Sequence, residues 1–178
     1  DICSDFNNDV YVISTLSGAI TFAGNTSTVL ATSYYPGVQK FSSSGNQLWF
    51  KYMNLSSSSG GSAASIKYNH NDSSVVYLTS VYTNKAQWSY DDPWNYIISS
   101  GGNLFSGNIK YDSTNISIHE YNYSSLNDRG FDLVVNSQGE KFISSNHQSL
   151  NSEFIADYTW IDSQFNSNYL RTIGPALG

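Results

Sequence analysis

One cysteine, three histidines and eight lysines and arginines are all that this 178-residue chain offers of the residue types that most often mark a site. Each shortage excludes something. Cys3 has no partner within the chain, which leaves an unpaired thiol or a disulfide to another chain as its two readings. With so few basic residues and a net charge of −6, the chain cannot build the cationic surface that phosphate backbones require, so nucleic acid is excluded as a partner. No stretch comes near the roughly 18 apolar residues of a membrane helix, so no membrane span is expected. His70, His119 and His147 lie far apart in sequence with no second ligand type at close spacing; they read as surface histidines, and no metal is implied. The glycine-rich phosphate loops and the Gly-x-Ser-x-Gly elbow are missing, so no cofactor and no nucleophile are called for.

Charged residues make up 12% of the chain, about half the usual share. Ser, Asn, Tyr and Gly fill the space instead, so the surface must be neutral and polar. The length suits one domain with a real core. The chain starts at Asp1 without Met or a signal peptide, which reads as a processed or excised piece; secretion is then inferred from composition alone.

Helical patterning is as scarce as charge. Gly, Ser and Asn interrupt every longer stretch, and no i, i+3, i+4 apolar face is sustained. Short strands bounded by turn residues replace it: Val10–Ile13, Gly37–Phe41, Gln47–Tyr52, Ser65–Tyr68 and Val75–Thr79. These predict an all-β chain.

The strands recur with a period of about 66 residues. NDVYVIST (8–15) aligns with SVVYLTSV (74–81) and GEKFISSN (139–146), putting Tyr11, Tyr77 and Phe142 in register. SIKYNHNDSS (65–74) aligns with GFDLVVNSQG (130–139). GVQKFSSSGNQLWFKYM (37–53) resembles ADYTWIDSQFNSNYLRTIG (156–174), with a looser copy in NYIISSGGNLFSGNIKYD (95–112) read as strand, Gly-Gly-Asn turn and strand. The resulting single domain holds repeat 1 over about 8–73, repeat 2 over about 74–138 and an incomplete repeat 3 over about 139–178. Four strands per unit at this period predict β-propeller-like blades of four antiparallel strands, not closed within the chain. A β-sandwich or jelly roll is the alternative. Because the chain begins at the VYV strand, the third repeat is expected to lack its last, SIKY-type strand, leaving a sheet edge open to a donated strand.

Val38-Gln39-Lys40-Phe41, then Ser44-Gly45-Asn46-Gln47-Leu48-Trp49, Ala64-Ser65-Ile66 and Val76-Tyr77-Leu78-Thr79 follow a cadence that resembles the seven-bladed β-propeller (SBBP) repeats of secreted and cell-surface proteins. The Trp survives in only one copy, and the Leu16-to-Tyr35 loop is long for that family. The resemblance implies a scaffold that displays or binds, with no catalytic set.

SYDDPWNY (89–96) has the start of the Ser-x-Asp-x-Gly-x-Thr-Trp box of sialidase-type propellers without its Gly and Thr, and reads as a turn carrying Trp94 rather than as an Asp91/Asp92 acid pair. DSQFNSN (162–168) alternates oxygen ligands but lacks the Gly and closing Glu of a calcium loop, which favours a hairpin turn. Trp88 and Trp94 are candidates for ligand stacking. Sequons at Asn25, Asn54, Asn71, Asn115 and Asn122 permit glycosylation; with 19 Asn in a chain about one quarter Ser plus Thr, chance alone gives four to five. Of these, Asn54, Asn71 and Asn115 fall in predicted turns. The expected function is a non-catalytic extracellular structural glycoprotein module. It would assemble with copies of itself, or with the remainder of a longer chain, into a surface layer or filament, the alternative being a lectin-like propeller that binds glycans.

Overall fold

The computed structural model describes residues 1–17, 19–22, 25–28, 34–55, 60–88, 96–110, 119–121, 128–148, 154–164 and 166–173. Its hairpin turns set the phase of the repeat. Asn8, Ser73 and Gly139, 65 and 66 residues apart, all take a left-handed backbone (φ 60°, 56° and 79°) just before a long strand begins. Ahead of each, an Asx side chain supplies the turn with acceptors: Asp5 Oδ1 takes the N–H groups of Asn7 and Asp9 at 2.9 and 3.0 Å, and Asn136 Oδ1 those of Gln138 and Glu140 at 3.0 Å. Asn69 Oδ1 accepts from Asn71 N–H at 3.1 Å. Short polar side chains can satisfy backbone donors in this way, which is why Asn and Asp punctuate the sequence.

Among the described residues the chain is all strand and turn, with no helix. The strands are β1 (Ile2–Ser4), β2 (Val10–Leu16), β3 (Ala19–Phe22), β4 (Asn25–Thr28), β5 (Tyr35–Phe41), β6 (Gln47–Leu55) and β7 (Gly60–Asn69). They continue as β8 (Ser74–Trp88), β9 (Tyr96–Lys110), β10 (His119–Tyr121), β11 (Asp128–Val135), β12 (Lys141–Gln148), β13 (Phe154–Ile161) and β14 (Ser167–Ile173). Every pairing is antiparallel. Three four-stranded meanders result: β1-β2-β5-β6, β7-β8-β9-β10 and β11-β12-β13-β14. The far end of β8 also pairs with β6, Met53 to Leu55 against Trp88 to Ala86, which joins the first two meanders; β3 and β4 form a small separate hairpin. No sheet closes into a barrel.

This topology corrects the expected composition of a repeat. The SIKY segment, in β7, does not finish the meander before it; it pairs with β8 and opens the next one. Likewise β1, Ile2 to Ser4 against Val12 to Val10, opens the first meander and β11 opens the third. The structural units therefore span 2–55, 60–121 and 128–173, and no strand is missing from the third.

The middle copy also shifts. Ser4 faces Val10 and Val135 faces Lys141, but Tyr68 faces Val75, one residue further along. That extra turn residue makes Val76, not Tyr77, the counterpart of Tyr11 and Phe142. A one-residue slip reverses every side chain on a strand. The 95–112 segment departs further: it is one continuous strand, β9, with Gly101, Gly102 and Asn103 opposite Thr83, Tyr82 and Val81, and the fourth strand of that meander is β10.

Alternation along β8 explains how the sheets stack. Val75 and Tyr77 join Tyr11, Ile13, Val38, Met53 and Ile66 in one buried cluster, with Trp49 packed against it. On the opposite face, Val76 and Leu78 join Leu133, Ile143 and Ile161 in a second. The middle sheet is thus covered on both sides, by the first meander and by the third, where a sandwich would have only one buried layer. Leu78→Ala should lower the free energy of urea unfolding by about 2–5 kcal/mol. Gly139→Ala should cost more than Gly45→Ala: both glycines have a left-handed φ, worth about 1–2 kcal/mol for a non-glycine. A Cβ at Gly139 would also meet the Asn69 and Asn71 amides at 3.2–3.4 Å, whereas Gly45 has nothing within 4 Å.

Candidate functional site

Opening each meander with its innermost strand brings equivalent positions together. Asp1, Ser65 and Asp132 lie three residues before Ser4, Tyr68 and Val135, near the end of that strand; in β7 one further pair, Asn69 with Ser74, follows. They meet in one polar hub. Ser65 Oγ is 2.8 Å from both Asp1 Oδ2 and Asp132 Oδ1, and Asp1 Oδ2 also accepts from Ile66 N–H at 3.1 Å. Lys67 Nζ lies 2.6 Å from Asp1 Oδ2 and 3.7 Å from Asp132 Oδ1, one cation between two carboxylates. Partial burial of Asp132 opposes ionisation, but hydrogen bonds from Ser65 Oγ and Leu133 N–H and the charge of Lys67 outweigh it and hold its carboxyl below the ordinary value. No sequence pattern marked this cluster, because its members are 64 and 67 residues apart.

At the turn end of the first meander lies a second charged group. Buried Lys40 is 3.1 Å from Asp9 Oδ2 and 3.6 Å from Asp5 Oδ2, its Nζ stands 4.9 Å from the Tyr11 ring centre, and Tyr11 Oη donates to Asp5 Oδ2. A buried, paired lysine of this kind fixes turn geometry, since breaking one partner would strand a charge. Between the second and third meanders, His147 Nδ1 contacts the buried Asp157 carboxylate. His147 is therefore half-buried and not the surface residue expected. His70 is exposed, its ring edge-on to Phe6 and Tyr68 at 4.9 Å. His119 lies on β10 opposite Ser106.

The outer face of the third meander is the largest departure from a polar surface. Val134, Phe142 and Trp160 form one cross-strand row, and Asp132, Ser144 and Tyr158 the next. Val134, Phe142 and Tyr158 are 56%, 42% and 47% exposed. A shallow depression of about 200 Å³ opens between them, bounded by Asp132 and Ser144. The outer face of the first meander carries Ile2, Val10, Val12, Phe41, Phe50 and Tyr52, with the Phe50 and Tyr52 rings stacked at 5.9 Å.

The residues singled out by sequence are scattered. Asn71 sits in an exposed turn as expected, and its Nδ2 donates to Gln138 O of the third meander at 3.3 Å. Asn54 lies on β6 opposite Gln87, not in a turn; Asn25 begins β4. Trp88 ends β8 opposite Met53. Asn115, Asn122, Trp94, Asp91 and Asp92 lie outside the described residues. Asp162 spends its carboxylate on its own turn, Oδ1 accepting from Gln164 and Asn166 N–H at 2.9 and 2.8 Å and Oδ2 from Asn166 Nδ2 at 2.9 Å. That is the hairpin reading of 162–168. Among the described residues no three His, Cys, Asp or Glu side chains converge as metal ligands, and no helix is long and apolar enough to cross a membrane. No family model matches the chain, and no curated protein matches it.

Cys3 points inward against the first core cluster. Burial pushes its thiol from an ordinary value near 9 up to about 12, overriding the lowering effect of Lys67. Tyr11 is raised as well, by burial and then by Asp5. A disulfide from Cys3 to another chain would require β1 to open. At pH 8 iodoacetamide should alkylate Cys3 at least about 100-fold more slowly in the folded protein than in urea, because the thiolate is the nucleophile. Groups whose folded pKa is raised stabilise below the unfolded value and lose that contribution above it. Stability should therefore fall from about pH 9 toward pH 12. The Cys3→Ala variant, titrated in parallel, should show a shallower fall.

Proposed function

We propose that this chain is a non-catalytic structural module of an extracellular or cell-surface assembly, a blade-repeat scaffold similar to SBBP-type repeats, glycosylated at exposed sequons such as Asn71. The observation that carries this reading is that the two end faces of the sheet stack leave large apolar side chains exposed, Val134, Phe142 and Tyr158 on one and Ile2 on the other. Exposed apolar patches of this kind mark interaction surfaces. Sheet edges add to it: β14 is last in its sheet order, and an edge strand offers unpaired N–H and C=O groups to another chain. The charged clusters support the same reading, since the hub and the Lys40 group spend their charges on one another and leave no carboxylate pair facing a cleft. A lectin-like role is the second reading, favoured by the Phe142 and Tyr158 rings beside the Asp132 carboxylate, an arrangement on which a pyranose could stack.

Sedimentation velocity from on the order of 5 to 500 μM, spanning the range of weak protein contacts, should show the weight-average mass rising with concentration. A mass fixed at 19.7 kDa throughout would sink the assembly reading. Saturable binding on a glycan array, lost in Tyr158→Ala, would transfer the face to the second.

A further inference from the structure

We propose that the outer face of the third meander binds the outer face of the first meander of a second copy of this chain, head to tail, in the manner of the internal sheet contacts. This rests on the assembly reading above and names the surface through which it occurs.

The argument is one of equivalence. Tyr11, Val76 and Phe142 occupy the same position in the three meanders, set by the left-handed residues at Asn8, Ser73 and Gly139. Tyr11 is buried against the second meander and Val76 against the third, each under the following sheet. Phe142 points the same way and is 42% exposed, and among the described residues no four-stranded sheet covers it. The complementary series runs Val12, Tyr77, Ile143. Tyr77 is buried against the first meander and Ile143 against the second, while Val12 faces outward beside Ile2. Among the described residues one face is thus left without a following sheet and the other without a preceding one, and a second copy supplies both.

Across the first meander's face Leu16 and Phe50 close over Gly37, which leaves no room there for a Cβ. On the third meander Phe142, Val134 and Tyr158 stand proud. The contact is modest. Four strands about 4.8 Å apart and seven residues of about 3.3 Å cover roughly 440 Å², against about 800 Å² per partner in a stable complex. At the hub, Asp132 would meet Asp1 of the second copy without an intervening lysine, because Val134 holds the position of Lys67. Association is therefore weak and visible only at high concentration.

A face that binds a different face builds rings or open chains according to whether its rotation closes, and in either case the two halves can be knocked out separately. Phe142→Asp spoils one face and Val12→Asp the other, with Tyr158→Asp and Ile2→Asp as more exposed substitutes should either fail to give the native circular dichroism spectrum. Each variant alone should associate at least about tenfold more weakly than the wild-type chain in sedimentation velocity. An equimolar mixture should recover association but stop at a dimer, through the one intact face each retains. Wild-type protein that associates while both variants associate equally well would overturn this inference and leave assembly to the sheet edges. Homodimers of Val12→Asp alone, with no gain on mixing, would overturn it in favour of a symmetric contact. Wild-type protein that stays monomeric would overturn the assembly reading along with it.

Discussion

Everything in this fold depends on the first half of β8 having no solvent side. From Ser74 to Ser80 every residue is buried, with Val75 and Tyr77 directed to one neighbouring sheet and Val76 and Leu78 to the other. A strand with one wet face alternates apolar and polar; a strand buried on both faces must be apolar or neutral throughout. The run Ser74-Val75-Val76-Tyr77-Leu78-Thr79-Ser80 meets that demand with Ser and Thr at its margins. The absence of charge from this run follows from the same constraint, because ionised side chains there could not be hydrated.

Among the described residues, two groups of charges lie in the turns and along the line where the inner strands meet. In the turns, Asp5 and Asp162 accept backbone N–H groups, and Lys40 and Lys141 close the same ends from the neighbouring strand, Lys141 Nζ donating to the carbonyls of Asp162 and Ser163 at 3.2 and 3.3 Å. Burial lowers the pKa of Lys141, which Asp72 and Asp162 partly offset. Along the inner line, Asp1, Ser65 and Asp132 converge because each belongs to the first strand of its own sheet, and neighbouring first strands are in contact. Side-chain bonds then cross from sheet to sheet where no backbone ladder can, as Gly130 N–H to Ser80 Oγ at 2.8 Å and Ala63 N–H to Thr15 Oγ1 at 3.0 Å also do.

Strand existence and period were legible in the sequence, since alternation and Asx turns are local. Register and sheet membership were not. Tyr77 looks like the partner of Tyr11 because both sit in a Val-Tyr motif, yet one extra residue between Tyr68 and Val75 turns it to the opposite face. Gly101-Gly102-Asn103 has the composition of a turn and lies inside β9, where its pairing with β8 overrides local preference. The assignment of the SIKY strand to the following sheet could not be read from order alone, because a hairpin turn and a crossover look alike until the pairing is known. The hub was hidden because stacking of separate sheets joins its residues, and the His147–Asp157 contact because it depends on the register of the β12–β13 pair.

The difference between the two end faces bears on what kind of contact they can make. A face that binds its own copy must be its own complement, and neither end meets that condition. The third meander's rings border a depression, while on the first meander the Phe50 and Tyr52 rings stack and Phe50 and Leu16 fill the space over Gly37. Two third-meander faces would meet at their exposed rings and leave the depression between them unfilled, where dispersion contacts are lost steeply with each fraction of an ångström of gap. Within the chain each sheet's forward face is covered by the backward face of the next, once in each buried cluster. The internal contacts therefore define a direction, and any contact that continues them inherits it.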